Sequence, residues 1–170
     1  MGIKICILCA EDFQDLEVLY PRYRLLEAGC KVIVAGMGED QYTGKYGYPV
    51  KCDADLRELD ANDFDCFIVP GGWAPDFLRR TDHAAKLIAE ANKLGKVIAA
   101  ICHGGWILSS ARMLEGRNLT SFYAIRDDLE YAGASWVDQS VVVDGNLVTS
   151  RNPDDLPDFM RAILKKIGAG

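Results

Sequence analysis

No stretch of the 170 residues stays apolar for longer than a buried strand requires. The longest runs, Ile5 to Ala10 and Val97 to Cys102, fall far short of a bilayer-crossing helix, so no transmembrane segment is expected. The opening Met-Gly-Ile-Lys-Ile lacks the basic region and cleavage site of a signal peptide and runs straight into a strand pattern, which points to a cytoplasmic location. Internal repeats, low-complexity tracts and linker-like segments are also missing, leaving one domain over residues 1–170. A basic stripe is absent too. The net charge of −6 is spread along the chain, which suits a soluble protein and argues against a nucleic-acid surface. With 49% hydrophobic and 26% charged residues, the chain can bury a sizeable core and is neither disordered nor membrane-embedded in composition.

Cysteine is not scarce: there are six. A chain this long needs no disulfide scaffold. Cys6, Cys9, Cys30 and Cys66 lie in or beside apolar runs, where a thiol behaves as a small hydrophobe. Cys6 and Cys9 form a C-x-x-C, but both fall inside one strand pattern with no second ligand pair, so a structural role is favoured over metal or redox chemistry. Cys52 follows a polar, Gly-rich stretch and carries no signal. Cys102 stands apart.

Strand and helix patterns alternate along the chain. Continuous apolar runs at Ile3–Cys9, Lys31–Ala35, Phe64–Val69 and Val97–Ile101 read as strands covered on both faces. Helices are expected over Asp15–Ala28 (with Leu16, Leu19, Leu25 and Leu26 on its apolar side and a kink at Pro21), His83–Leu94, Trp106–Met113, Ile125–Ala132 and Pro153–Ile167. Gln41–Asp53 reads as a small peripheral hairpin. Ser140–Val143 and Leu147–Ser150, joined through Asp144-Gly145-Asn146, read as a second hairpin with a type I′-like turn. Such alternation predicts an α/β fold, a mostly parallel sheet with helices on both faces. Ligands then bind at the carboxyl ends of the strands, in the loops after Cys9, Val69 and Ile101.

The third of these loops carries the strongest signal. Ala99-Ala100-Ile101-Cys102-His103-Gly104-Gly105 turns from strand directly into helix, with small residues where a nucleophile elbow allows no others. The turn would lift Cys102 to the top of the sheet, where a helix N-terminus favours the thiolate. Pro70-Gly71-Gly72-Trp73-Ala74-Pro75-Asp76 lets backbone approach a ligand closely, and the N–H groups of Gly72 and His103 are candidates for an oxyanion hole. The first loop and helix supply Glu11, Asp12, Asp15 and Glu17. Asp15 fits a helix cap or dipole partner. Glu17, in the first turn, is a candidate for a protonated carboxyl that donates a hydrogen bond to the thiolate.

These residues resemble the PfpI (intracellular protease I) family. The likeness rests on Ala-Ile-Cys-His-Gly at 100–104, Pro-Gly-Gly-Trp-Ala-Pro-Asp at 70–76, Glu17 with Tyr20-Pro21, Ile125-Arg126-Asp127-Asp128, and Val141 to Pro157. That family belongs with the Parkinsonism-associated deglycase and class I glutamine amidotransferase domains. The resemblance implies a flavodoxin-like three-layer sandwich, self-association as a homodimer or dimer-built hexamer, and no cofactor or metal. It implies Cys102 as nucleophile, His103 as its base, Glu17 under the thiol, and Asp76 completing a triad from a neighbouring subunit. Two positions depart from the archaeal protease of the family: Asp76 stands for a longer Glu, and Phe122 for a Tyr. Three functions are open on this basis. A soft thiolate suits addition to reactive carbonyls such as methylglyoxal or its glycated adducts. The same atoms could attack a peptide bond, which needs an extended groove. In a non-enzymatic alternative, Cys102 is an oxidation sensor.

Overall fold

The computed structural model describes residues 2–170. In chain order the elements are β1 (Lys4–Leu8), α1 (Asp15–Glu27), β2 (Lys31–Gly36), β3 (Gln41–Thr43), β4 (Pro49–Lys51), β5 (Ala54–Asp55) and β6 (Cys66–Val69). There follow α2 (Ala74–Leu78), α3 (His83–Lys93), β7 (Val97–Ile101), α4 (Gly105–Ser110), β8 (Asn118–Leu119) and α5 (Arg126–Tyr131). The chain closes with β9 (Ser135–Trp136), β10 (Val142–Asp144), β11 (Leu147–Ser150) and α6 (Leu156–Ile167).

Seven strands form the central sheet in the order β10-β11-β7-β6-β1-β2-β5, parallel except for the edge pair of β10 with β11. Helix α1 packs beside α6 and α3 beside α4, supplying the outer layers of a flavodoxin-like sandwich. The central strands are apolar throughout because both their faces are covered. Phe67, Ile68 and Ile98 are fully buried, each stabilising the core by roughly 2 kcal/mol. Among the described residues no helix is long and apolar enough to cross a membrane.

The register decides where chemistry can occur. Strands β7, β6 and β1 are neighbours, with Ile68 opposite both Ala99 and Ile7. Their carboxyl ends therefore bring together the three loops that follow Leu8, Val69 and Ile101.

Three local expectations are corrected. Helix α1 runs through Pro21 and buries Glu17, Val18, Pro21 and Leu25, while Leu16 and Leu26 are exposed. The inward stripe follows the i, i+4, i+8 row from Glu17, and counting leucines misses it because an acid occupies its first place. The cap of α1 is Gln14, whose Oε1 accepts the Leu16 N–H at 2.7 Å; Asp15 has another role, described below. In the β10–β11 turn only Gly145 takes a positive φ, so the turn is not type I′, which needs two left-handed residues.

Candidate active site

Cys102 occupies the elbow between β7 and α4 with φ 59°, a left-handed conformation that side chains other than glycine rarely take. The expected strain is present, and it turns the thiol toward the loop after β6. The residue is 8% exposed. Main-chain N–H groups of His103 and Gly72 favour the charged form of its sulfur. His103 Nδ1 lies 3.3 Å from Sγ.

Gly72 is held by an antiparallel bridge to Phe13. Trp73 N–H donates to Asp12 O at 2.8 Å, and Gln14 N–H to Gly71 O at 3.2 Å. Its φ is 68°, and a Cβ there would lie 2.4 Å from Asp12 O, so only glycine fits. Gly71 is needed for a different reason. A Cβ on it would stand 2.7 Å from both the Cys102 Cβ and the Glu17 Oε2, in the space where thiol and carboxyl face each other.

Glu17 is fully buried. Its Oε2 accepts the Gly71 N–H at 2.6 Å, and Oε1 has no partner. Burial pushes this carboxyl from 4.5 up to about 7, against the opposing pull of Gly71, Cys102 and Lys45. Burial first, then the charge of an ionised Glu17, pushes the Cys102 thiol up to about 12. The simple expectation of an acidified cysteine is thus corrected: desolvation outweighs the local donors. Thiol and carboxyl form one coupled system, and its first proton leaves near neutrality. Glu17 is the member of the pair that ionises first, and the thiolate forms when the Cys102 proton passes to its carboxylate. That transfer is favoured by the main-chain N–H groups of His103 and Gly72 on the sulfur's side, whereas the carboxyl has a single N–H and one bare oxygen.

Burial, then the charge of Lys45, lowers the pKa of His103, which favours the neutral imidazole over its charged form. Its ring stacks on Phe122 at 5.1 Å and meets Trp106 edge-on at 5.1 Å, with Trp73 6.4 Å away. Trp106 is itself fixed by a 2.8 Å bond from its Nε1 to Asp128. Asp76 lies on α2, half-buried, and its carboxylate is taken by Arg80 at 2.6 Å. Within one chain it makes no hydrogen bond to His103 among the described residues.

A cleft of about 380 Å³ opens above the sulfur, walled by Trp73, Phe122, Lys45, Tyr46, Gln14 and Asn152 among others. The hairpin β3–β4 is less peripheral than its sequence implies, because its loop forms one wall. Asp15 is the reason. Its buried carboxylate accepts the N–H groups of Tyr46 and Tyr48 at 3.0 and 3.1 Å, while Lys45 N–H donates to Phe13 O at 2.9 Å. Lys45, Tyr46 and Asn152 were not singled out in the sequence; a polar, aromatic loop carries no local mark of what it will cover.

The other cysteines are free. Burial raises the pKa of Cys6, Cys9, Cys30 and Cys66, and Cys52 is pushed up to about 11. Among the described residues no three His, Cys, Asp or Glu side chains converge as a metal site.

Parallel α/β sandwich, strained cysteine elbow and buried glutamate together define a class of protein in which a thiol is presented at the carboxyl edge of the sheet. The chain belongs to the DJ-1/PfpI family, whose model matches residues 3–166. It is 45% identical over 163 residues to a deglycase of Thermococcus kodakarensis, covering 96% of this chain and 98% of that one. A Bacillus subtilis protein named "Putative cysteine protease YraA" is 39% identical over 165 residues, covering 96% and 98% respectively. A two-domain protein from Anabaena variabilis, containing DJ-1/ThiJ/PfpI-like and ferritin-like domains, superposes with a TM-score of 0.95 at 40% identity, over 98% of this chain and 48% of that one.

Proposed function

We propose that this chain is a cysteine-dependent enzyme acting on reactive carbonyls, either free 2-oxo aldehydes or the adducts they leave on amino groups. The observation that carries the reading is the coupled pair of Cys102 and Glu17 beneath a cleft sized for a small molecule. A walled pocket suits a compact carbonyl better than the extended strand a peptidase must hold. The name of the Thermococcus relative points the same way.

With the pair singly ionised, the thiolate adds to the aldehyde carbon, and the N–H groups of Gly72 and His103 serve the developing oxyanion. Glu17 keeps the proton that would otherwise quench the sulfur. Neutral His103 then removes the proton from the former aldehyde carbon and returns one to the adjacent carbon, leaving a 2-hydroxyacyl thioester. Water cleaves the thioester, releasing the hydroxy acid and restoring the thiol, so that methylglyoxal plus water gives lactate and a proton. The stacked Phe122 orients the imidazole but has no hydroxyl to donate, so no step here uses a phenol. Asp76 is assigned to His103 of a neighbouring subunit in a homodimer or larger assembly. There its carboxylate would hold the imidazolium, with Arg80 fixing its orientation.

Lactate release from methylglyoxal and fragment release from peptides, measured on one preparation with a Cys102→Ala control, tests this reading. Cys102-dependent lactate with no peptide cleavage is the expected result. Peptide cleavage without lactate would transfer the chain to the peptidases.

A further inference from the structure

The polar groups around the cleft share one property. Gln14 spends its Oε1 on the Leu16 N–H at 2.7 Å, and Asn152 spends its Oδ1 on the Asp154 N–H at 3.0 Å. In each amide the acceptor is committed, so the group left over is an NH2 donor. Gln14 is buried, which fixes its orientation further. Lys45 adds an ammonium that makes no salt bridge among the described residues and leans over the Tyr46 ring at 5.1 Å. Its main chain is anchored through Phe13 O, with the two N–H bonds to Asp15 close by, so this cation is held at the cleft by a built loop. No Asp or Glu lines the cleft. Two carboxyls lie nearby: Glu17 is sealed beneath Gly71, and the buried Asp15 has its oxygens taken by the Tyr46 and Tyr48 N–H groups. A neutral methyl ketone would leave these donors facing nothing but water.

We infer that the cleft selects carbonyl compounds that carry a carboxylate, with Lys45 receiving the carboxylate and Gln14 and Asn152 donating beside it. This rests on Cys102 being the nucleophile of the proposed reaction. The substrate class is a small 2-oxo aldehyde with an acidic tail, of which 4,5-dioxopentanoate is a test compound. Its aldehyde carbon meets the sulfur, and its carboxylate lies toward the hairpin loop. A charge-assisted contact of this kind changes affinity by about tenfold or more. Lys45 also weakens the hold of His103 on a proton, so its replacement affects every substrate and only ratios between substrates isolate recognition.

Two experiments separate this inference from the reading beneath it. In the first, Cys102 is alkylated by iodoacetate and by iodoacetamide, which differ in charge and share the same displacement of iodide. Relative to a cysteine in a short peptide, the protein should prefer iodoacetate by about tenfold, with saturation. Lys45→Met should erase most of that preference and Lys45→Arg should keep it. In the second, kcat/KM for 4,5-dioxopentanoate over that for methylglyoxal should exceed unity and fall by about tenfold in Lys45→Met. A wild-type iodoacetate preference equal to that of the peptide, or one unchanged in Lys45→Met, overturns the inference. Failure to turn over either aldehyde, with the iodoacetate preference intact, supports the anion site and overturns the carbonyl chemistry instead.

Discussion

Replacing Glu17 by Gln keeps the shape of a fully buried side chain and removes its proton chemistry. The native carboxyl ionises at about 7 in the folded chain and at 4.5 when unperturbed. Between those values the folded chain holds a proton that the unfolded chain has released, so native stability falls as pH rises through the window. Below the window there is no penalty, and above it the penalty is complete. At about 1.4 kcal/mol per pH unit, it amounts to roughly 3 kcal/mol. Glutamine carries none of it. Glu17→Gln should therefore gain on the native protein as pH is raised from about 4.5 to about 7.5, by roughly 10 °C in relative melting temperature for a domain of this size. Turnover should move the other way. The amide can donate to sulfur but has no proton to exchange with it, and the rise of activity through pH 7 should vanish. Thermal melts of both proteins across that range, paired with rate–pH profiles, make the check. Parallel melting curves would show that Glu17 does not carry the buried charge, and the proton-sharing account would fall with them.

Limiting iodoacetamide at pH 8 should label Cys102 first, as read by peptide mapping. Cys52, pushed up to about 11, follows, and the four buried core thiols come last; early labelling of Cys52 or Cys30 contradicts the coupled-pair scheme. Gly71→Ala should cost roughly 1–3 kcal/mol in denaturant melts and most of the activity, because its methyl lands between thiol and carboxyl; native-like rates would mean the two groups are not poised as described. Asp76→Asn should lower turnover with little change in melting temperature, and mixing it with Cys102→Ser subunits should restore part of the activity. No recovery in verified hybrids would return Asp76 to its surface pair with Arg80.

The sheet was legible because its strands are short, apolar and separated by helices, and β7 appears where its pattern places it. The elbow was legible for a similar reason: strain at Cys102 demands small neighbours, and small neighbours are visible in a sequence. Glu17 is singled out in the sequence by its place in the first turn and by the family resemblance, but its contact with Gly71, 54 residues away, is visible only in the fold. Asp15 was assigned to the helix it starts, whereas its partners are Tyr46 and Tyr48. Lys45 and Asn152 were invisible because loops carry no periodicity to say which way they fold. The raised thiol pKa escaped because helix dipoles can be read locally and desolvation cannot.

The bridge between Phe13 and Gly72 ties the loop after β1 to the loop after β6 with two main-chain hydrogen bonds. A sheet-like stitch of this kind lies outside the sheet, yet it behaves as an extension of it. The oxyanion donor at Gly72 is thereby fastened to the loop after a second buried strand, β1, rather than left at the tip of a mobile loop. On heating, the site has no soft hinge by which to come apart early. Within one subunit, loss of the oxyanion donor should then keep step with loss of the fold.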